Sequence, residues 1–289
     1  MKTIVKLLFI PAILIFCSFA YAAPGSLLWG DFYDREGSRL DEALAIAVQG
    51  NSVFAAGYTN TSAGGNAFTV AALSAKDGSP LWGDFYDREE INEEDVAYAI
   101  AVQGSRVFVA GYTYTSAGDL AFTVRAYSAK DGRLLWSDFY DRQGTGTDVA
   151  NAIAVKGNRV FVAGMTYTSA GGYAFTVRAY SAKDGRVLWG DYYVREGTGF
   201  DEARAIAVKG NSVFVAGRTE TSAGGRAFTV AALSAKDGSL LWGDFYDRQG
   251  TGDDVANAIA VKGNNVFVAG RTYTSAGGWA STVRAYSAK

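Results

Sequence analysis

The sequence has no histidine, and its single cysteine, Cys17, lies close to the N-terminus. A Ser–His or Cys–His catalytic pair, or a zinc site built on histidine and cysteine, is therefore not available to the rest of the chain. Proline is almost as rare, with three residues in 289. The 27 basic and 29 acidic residues are interspersed and form no basic stripe. This pattern argues against nucleic acid and anionic membrane surfaces as partners.

Residues 1–22 differ in composition from the rest of the chain. Lys2 and Lys6 precede an apolar run from Leu7 to Phe19, and the run ends in small residues around Tyr21. This pattern predicts a secretory signal peptide, because the run is too short for a membrane-spanning helix. We expect cleavage to leave one domain, residues 23–289, in the periplasm, on the cell surface or outside the cell, with no membrane insertion.

An internal repeat fills the rest of the sequence. Tryptophan recurs every 53 or 54 residues within near-copies of one phrase. The five copies begin near Trp29, Trp82, Trp136, Trp189 and Trp242. A fixed period of this size indicates a repeat protein, in which each unit buries its apolar face against its neighbours.

The third copy shows how one repeat unit is built. Four segments rich in β-branched and aromatic residues predict strands at 134–140, 148–155, 159–166 and 174–181. Glycine-containing turns around Gly157 and Gly185 predict tight hairpins. Four antiparallel strands in about fifty residues are typical of a β-propeller blade. We therefore predict an all-β, five-bladed β-propeller of four-stranded antiparallel blades, with a tryptophan filling each gap between blades.

The two ends of the repeat array predict how the propeller closes. The phrase PGSLLWGDFYD, at residues 24–34, has the sequence of an outer strand, whereas RAYSAK, at residues 284–289, lies where an outer strand would follow. We expect this N-terminal outer strand to complete the last blade. Such a split blade closes the ring and removes exposed sheet edges.

The repeat phrases resemble known bacterial repeats. DVANAIAVKGNRVFVAGMTYTSAGG and AFTVRAYSAKDGRLLW are similar to the SBBP-type β-propeller repeat, with its D-x-A-x-x-I-A-V strand, G-N-x-V-[YF]-V-x-G strand and G-x-x-x-W ending. AYSAKDGRLLW also resembles the tryptophan-docking phrase of PQQ-type quinoprotein propellers, although Ser128 and Asp131 replace an aspartate and a threonine of that phrase. The resemblance implies an exported or surface-associated bacterial propeller and implies little about its activity.

Two long loops in each copy form the candidate binding surface. One follows the second strand of the blade and the other precedes the inner strand of the next, and we expect both on one face. The candidate ligand-binding residues are Tyr114, Tyr167, Tyr173, Tyr273, Trp279 and Arg226. Drift of exposed loops after recent duplication is an equally simple explanation of their variety.

Aspartates recur in two sets. The first set opens the inner strands and comprises Asp41, Asp95, Asp148, Asp201 and Asp254. A ring of these carboxylates at one mouth of the channel could bind Ca²⁺, the one cofactor that the sequence suggests. Alternatively, each aspartate caps its own turn. The second set follows each tryptophan by two residues, as Asp84 does, and we expect each member to pair with the arginine four residues later, as in Asp84 with Arg88.

Four functions are weighed against these features. We expect a monomeric, non-catalytic scaffold that binds a protein or glycan ligand through the long-loop face. A sharper alternative is a multivalent lectin, in which loop aromatics stack on sugar rings. The enzymatic alternative is a glycoside hydrolase, which needs two carboxylates in different environments. Its candidate acids are Asp41 with Glu42, Asp201 with Glu202, and those of the second-copy loop from Glu89 to Asp95, of which Glu93 and Glu94 are the ones to test. A quinone-dependent dehydrogenase is the weakest alternative, since none of its catalytic machinery is visible.

Overall fold

The computed structural model describes residues 25–30, 41–62, 64–87, 93–141, 146–193, 199–247 and 252–289, with backbone alone at 191–193. The chain falls into two units, Met1–Gly30 and Asp31–Lys289. The described part of the first unit contains no strand and exposes Leu27 and Leu28. Within the described ranges, the second unit contains nineteen strands and no helix. Accordingly, no helix able to cross a membrane occurs among those residues.

The nineteen strands form five antiparallel sheets, called blades 1 to 5, each built from strands that follow one another in the chain. Blade 1 consists of β1 (Glu42–Gln49), β2 (Ser52–Asn60), β3 (Asn66–Ser74) and β4 (Pro80–Tyr86). Blade 2 consists of β5 (Val96–Gln103), β6 (Arg106–Tyr114), β7 (Leu120–Ser128) and β8 (Leu134–Tyr140). Blade 3 consists of β9 (Val149–Lys156), β10 (Arg159–Tyr167), β11 (Tyr173–Ser181) and β12 (Val187–Tyr193). Blade 4 consists of β13 (Glu202–Lys209), β14 (Ser212–Glu220), β15 (Arg226–Ser234) and β16 (Leu240–Tyr246). Blade 5 consists of β17 (Val255–Lys262), β18 (Asn265–Tyr273) and β19 (Trp279–Ser287).

The predicted all-β chain with five successive sheets is confirmed. The strand predicted at 134–140 coincides with β8. The predicted strands at 159–166 and 174–181 differ from β10 and β11 by one residue at one end, and the strand predicted at 148–155 differs from β9 by one residue at each end. Gly157 and Gly185 adopt φ values of 57° and 73°, which the predicted hairpins require of a glycine. The inner strands of blades 1 to 5 lie next to one another in chain order, as in a propeller.

Each inner strand also contains a β-bulge that the sequence pattern did not reveal. In blade 3, Gly164 pairs with Ala150 and Ala163 pairs with Ala152, so Asn151 is an extra residue. A Cβ atom at Gly164 would lie 1.9 Å from the carbonyl oxygen of Val149, so the bulge needs glycine opposite it. The regular alternation of side chains along β9 is therefore interrupted at this point.

The apolar core lies between successive blades, and a tryptophan fills each described gap. Between blades 2 and 3, the Trp136 ring stacks on Tyr180 with 6.0 Å between centroids. Its Nε1 donates a hydrogen bond to the carbonyl oxygen of Ala182 at 3.2 Å. Trp82 and Trp189 make the same bond, also at 3.2 Å, to the next blade. The predicted role of these rings is thus seen at three junctions.

Three of the aspartates that follow a tryptophan lie beside an arginine of the next blade: Asp84 by Arg125, Asp138 by Arg178 and Asp244 by Arg284. Asp84 Oδ2 accepts a hydrogen bond from Tyr127 Oη at 2.7 Å and lies 3.2 Å from Arg125 Nη2. The Arg125 guanidinium also stacks on Tyr86, 3.7 Å from the ring centroid. The arginine predicted as the partner of Asp84, Arg88, lies outside the described residues.

Two apolar surfaces lie at the ends of the row of blades. On β1, Ile46 is 69% exposed and Val48 is 62% exposed. On β19, Val283 is 74% exposed, although Val230 at the same position of blade 4 is fully buried. Within the described residues, blade 5 has no fourth strand beside β19. Closure of the ring therefore stays a prediction.

Candidate functional site: the long-loop face

The structure brings the two long loops of each repeat together. The chain before β9 runs beside the start of β7, where Thr147 and Leu120 form a parallel bridge. Asp148 N donates to the carbonyl oxygen of Leu120 at 2.8 Å. The same bridge recurs at the other described junctions, as Asn66 with Glu94, Tyr173 with Phe200 and Arg226 with Asp253. We call the surface formed by these loops the long-loop face.

The first aspartate set holds the framework of this face. In each blade, the aspartate Oδ1 accepts a hydrogen bond of 2.5–2.7 Å from the backbone N–H that ends the second strand. The aspartates are Asp41, Asp95, Asp148, Asp201 and Asp254, and their donors are Asn60, Tyr114, Tyr167, Glu220 and Tyr273. These bonds agree with the local capping role. In the described ranges no group of acids, histidines or cysteines is arranged to hold a metal, and the Ca²⁺ site stays a prediction.

In blade 3, aromatic rings fill the long-loop face. Tyr167, at the end of β10, contacts Tyr173, at the start of β11, edge-on with 5.4 Å between ring centroids. Tyr173 in turn contacts Phe200 of the next repeat at 4.8 Å. The structure thus brings two predicted site residues together. Sequence reasoning missed Phe200, whose position is occupied by a different residue type in each described copy.

In blade 4, guanidinium groups occupy the equivalent place. Arg218 and Arg226 both lie over the Phe200 ring, 4.7 and 5.1 Å from its centroid. Arg226 Nη1 also lies 3.4 Å from Asp253 Oδ2, and Arg218 Nη2 lies 2.8 Å from Glu202 Oε2. Burial lowers the pKa of Arg218, against the opposing effect of Glu202. The predicted residue Arg226 is therefore part of an internal arginine–carboxylate cluster.

In blade 5, Trp279 lies at the start of β19 and is 56% exposed. Its ring contacts Tyr273 at 5.7 Å and lies 4.8 Å from the Arg271 guanidinium carbon. Its Nε1 donates to the carbonyl oxygen of Asp253 at 3.3 Å. The two predicted aromatics of this blade therefore form one cluster on the long-loop face.

In blade 2, the long-loop face contains an open cavity of about 350 Å³. The predicted residue Tyr114 lines it, together with Glu93, Glu94 and Asp119. Tyr112, which sequence reasoning missed, lines the cavity and donates to Glu94 Oε2 at 3.5 Å. Burial raises the pKa of Tyr112, and the nearby charge of Glu94 raises it further. Tyr112 is therefore a neutral phenol at physiological pH.

Glu42 and Glu202, two of the candidate acids of the glycoside hydrolase alternative, make different polar contacts. Glu42 Oε2 accepts a hydrogen bond from Tyr58 Oη at 2.8 Å, and this bond raises the pKa of Tyr58. Glu202 Oε2 lies between Arg204 Nε at 2.9 Å and Arg218 Nη2 at 2.8 Å. Two of the candidate acids are thus engaged in polar contacts within their own blade.

Comparison with known proteins identifies the family. A family model described as outer membrane protein assembly factor BamB matches residues 20–163 and, in a second alignment, 66–285. No curated protein matches the chain significantly. The SBBP-type resemblance stays a prediction.

Two solved structures of enzymes are similar to this chain in fold. Quinohemoprotein alcohol dehydrogenase from Comamonas testosteroni has a TM-score of 0.53 at 14% identity, over 84% of this chain and 39% of that protein. The enzyme ADHIIG from Pseudomonas putida HK5 has a TM-score of 0.51 at 16% identity, over 83% of this chain and 38% of that protein. BamB from Moraxella catarrhalis has a TM-score of 0.41 at 16% identity, over 90% of this chain and 86% of that protein. The chain thus spans less than two fifths of either dehydrogenase. From its sequence match, this chain belongs to the outer membrane protein assembly factor BamB family.

Proposed function

We propose that this protein is an exported, non-catalytic scaffold that binds a protein partner through its long-loop face and takes part in the assembly of outer membrane proteins. The observation that carries the proposal is the match to the BamB family over nearly the whole chain. The predicted signal peptide at residues 1–22 supports export. A monomer is the expected form.

The chemistry of the long-loop face supports binding rather than catalysis. One framework, held by the same aspartate bond in every blade, presents tyrosines in blade 3, arginines in blade 4 and carboxylates in blade 2. A rigid framework with variable loops is the usual form of a recognition surface. A protein partner can contact several of these clusters at once, and so gain affinity from many weak contacts.

Site-specific photo-crosslinking in the native cell envelope tests this proposal. A photo-reactive amino acid at Tyr167 or Trp279 is expected to crosslink a protein of the outer membrane assembly pathway. The same amino acid at Asn158 or Asn211, in the short hairpins at the other end of the blades, serves as the control. Equal crosslinking from both ends of the blades, or none from the long-loop face, would contradict the proposal. Adducts to glycans instead of proteins would favour the lectin alternative.

We further infer that the five blades close into a ring through a junction like that between blades 3 and 4. At that junction, Asn151 Nδ2 donates to the carbonyl oxygen of Ala203 at 2.9 Å and to Glu202 Oε1 at 3.2 Å. Blade 5 carries Asn257 at the position of Asn151. Blade 1 carries a glutamate and an alanine, residues 42 and 43, at the positions of Glu202 and Ala203. Blade 5 therefore carries the donor residue of such a junction, and blade 1 carries its acceptor residues.

The outer strand of blade 5 would come from residues 26–33. Their sequence, SLLWGDFY, is identical to residues 239–246, which include β16. In blade 4, β16 pairs with β15 so that Asp244 lies opposite Val230. By the same register, Asp31 would lie opposite Val283. Such pairing would cover the exposed face of β19 and satisfy its edge.

A disulfide tests this closure, because the secreted domain has no cysteine of its own. The double variant Asp31→Cys, Val283→Cys is expected to form an intrachain disulfide in a monomer under mild oxidation. Asp31→Cys with Ser275→Cys, whose second site lies in a loop, is the matched control and should stay reduced. Disulfide-linked dimers of the first variant, or no disulfide at all, would show that the ring does not close within one chain.

A further inference from the structure

The blade 2 cavity is a recess on the long-loop face that the side chains around it leave open. The positions that fill the equivalent space in blade 3 carry Tyr173 and Phe200, whereas blade 2 has Leu120 and Thr147 there. The recess of about 350 Å³ that results lies within the size range of ligand-binding pockets.

The described residues that line the cavity carry negative charge. Glu93, Glu94 and Asp119 are acidic, and among the described lining residues there is no lysine or arginine. Asp119 is held in place because its Oδ1 accepts a hydrogen bond from Gly146 N at 2.6 Å. Tyr112 and Tyr114 add phenol rings to the lining. Carboxylates beside aromatic rings suit a guanidinium or ammonium group, which can bind both.

In blade 4, side chains of the protein itself fill the space that is equivalent to the blade 2 cavity. Position for position, Arg226 replaces Leu120, Arg218 replaces Tyr112 and Asp253 replaces Thr147. Both guanidiniums lie over an aromatic ring, and Arg226 lies 3.4 Å from a carboxylate oxygen. The same framework therefore accommodates an arginine head between a ring and an acid. In blade 2, acids and rings line the cavity from other positions of the repeat, and no described residue of the lining is an arginine.

We propose that the blade 2 cavity receives the guanidinium or ammonium group of a basic side chain from the protein partner. The inference rests on the proposed function, since it assigns one contact within the long-loop face. Arginine is the better fit of the two cations, because its planar fork can bond two carboxylates while it stacks on a tyrosine ring. The contact should weaken with salt, as expected for charges at a partly open site.

Peptide binding to the full secreted protein tests the inference. The probe is the capped pentapeptide Gly-Gly-Arg-Gly-Gly, titrated while the backbone amide resonances of Tyr114 and Asp119 are followed by NMR. The same peptide with citrulline in place of arginine is a neutral control of nearly equal shape. The arginine peptide is expected to bind about tenfold or more tightly than the citrulline peptide, because only the former makes charge-assisted bonds. Equal binding of the two peptides would overturn the inference.

Two variants locate the site. Glu93→Gln with Glu94→Gln should weaken arginine-peptide binding about tenfold or more, whereas Glu220→Gln in blade 4 should leave it unchanged. Leu120→Arg with Thr147→Asp copies the blade 4 pair, and is expected to fill the cavity and abolish binding while the protein stays folded. Binding that survives both double variants would overturn the inference. Tighter binding of the free diamine putrescine than of the peptide would also overturn it, in favour of a small-molecule ligand.

The crosslinking experiment separates this inference from the proposed function. Partner crosslinks from Tyr167, combined with a peptide that does not bind, would overturn only the assignment of the cavity. Loss of those crosslinks in the Glu93→Gln, Glu94→Gln variant would support it, because the partner itself would then depend on the cavity.

Discussion

At the scale of the residue, each tryptophan joins two blades by both its ring and its nitrogen. Trp136 is buried against blade 3, stacks on Tyr180 and donates to Ala182 O. The period of the tryptophans was visible in the sequence, and so was their role in filling gaps. Their hydrogen-bond acceptor was not visible, because it lies 46 residues further along the chain.

Replacing Trp136 separates these two contributions. Trp136→Ala is expected to lower the free energy of unfolding by about 3–5 kcal/mol, because it removes a large buried ring. Trp136→Phe keeps much of the packing but leaves Ala182 O without its donor, which adds a cost of about 1–3 kcal/mol to the smaller loss of packing. Trp279→Ala, at an exposed position, is the control and should change stability by about 0.5 kcal/mol or less. Urea unfolding followed by circular dichroism measures all three, and a Trp136→Ala loss as small as that of the control would contradict the prediction.

Tyr127 and Tyr286 each donate a hydrogen bond to an aspartate of the preceding blade. We expect these tyrosines to make the protein less stable at alkaline pH. Burial raises the pKa of Tyr286 to about 12, and its hydrogen bond to Asp244 adds to this effect. Burial also raises the pKa of Tyr127. Because the folded state favours the protonated phenol, this stabilisation is complete below the unfolded pKa of about 10 and is lost as the pH rises from about 10 towards 12.

Urea midpoints between pH 8 and pH 12 measure this effect. The wild-type midpoint is expected to fall above about pH 10, and to fall less steeply in Tyr286→Phe, which has no phenol to ionise. At pH 8 the variant should be slightly less stable, since it lacks the bond to Asp244. If the urea midpoint falls equally with pH in the two proteins, ionisation of Tyr286 does not account for the loss of stability in alkali.

At the scale of the element, the strands followed from the sequence but the bulges did not. Alternating side chains and turn glycines are local signals, and they located β8 to β11 within one residue. The bulge at Asn151 depends on how β9 pairs with β10, which no single strand reveals. It matters for the site, because bulge residues such as Asn151 and Arg204 reach the next blade.

Gly164 tests the bulge. Gly164→Ala is expected to cost about 3 kcal/mol, because the new Cβ would lie 1.9 Å from Val149 O and the backbone must shift. Gly278→Ala, where a Cβ atom meets nothing within 4 Å, should cost about 0.5 kcal/mol or less. Thermal unfolding compares the two variants. Similar melting temperatures would mean that the bulge adapts to a side chain.

At the scale of the whole molecule, the exposed apolar surfaces of β1 and β19 are where the proposed closing junction would form. Isolated apolar residues on a surface are normal, but Ile46, Val48 and Val283 occupy positions that pack between blades elsewhere in the repeat. Ser281 stands where the other four blades bury a phenylalanine: Phe68, Phe122, Phe175 and Phe228. The proposed closing junction is therefore expected to be the weakest of the five.

Val283→Lys measures whether that junction forms. In the closed ring, the lysine would be buried opposite Asp31, and a loss of about 3 kcal/mol or more in unfolding free energy is expected, because removing the ammonium from water costs more than one ion pair returns. Ser275→Lys, in an exposed loop, is the control and should be nearly neutral. A neutral Val283→Lys would mean that the β19 face stays in contact with water, and would argue against closure within the chain.

The sequence by itself determined the all-β class, the five repeats, their strands and the tryptophan positions, because these depend on periodicity and turn chemistry within one repeat. It also located the aspartates and tyrosines of the long-loop face. Only the tertiary structure decided what those residues do. Asp95 holds the backbone of Tyr114, Arg226 lies over Phe200, and the acids of blade 2 surround an open cavity. Each of these outcomes depends on residues from two strands or two blades, and such contacts form only when the sheets pack against one another.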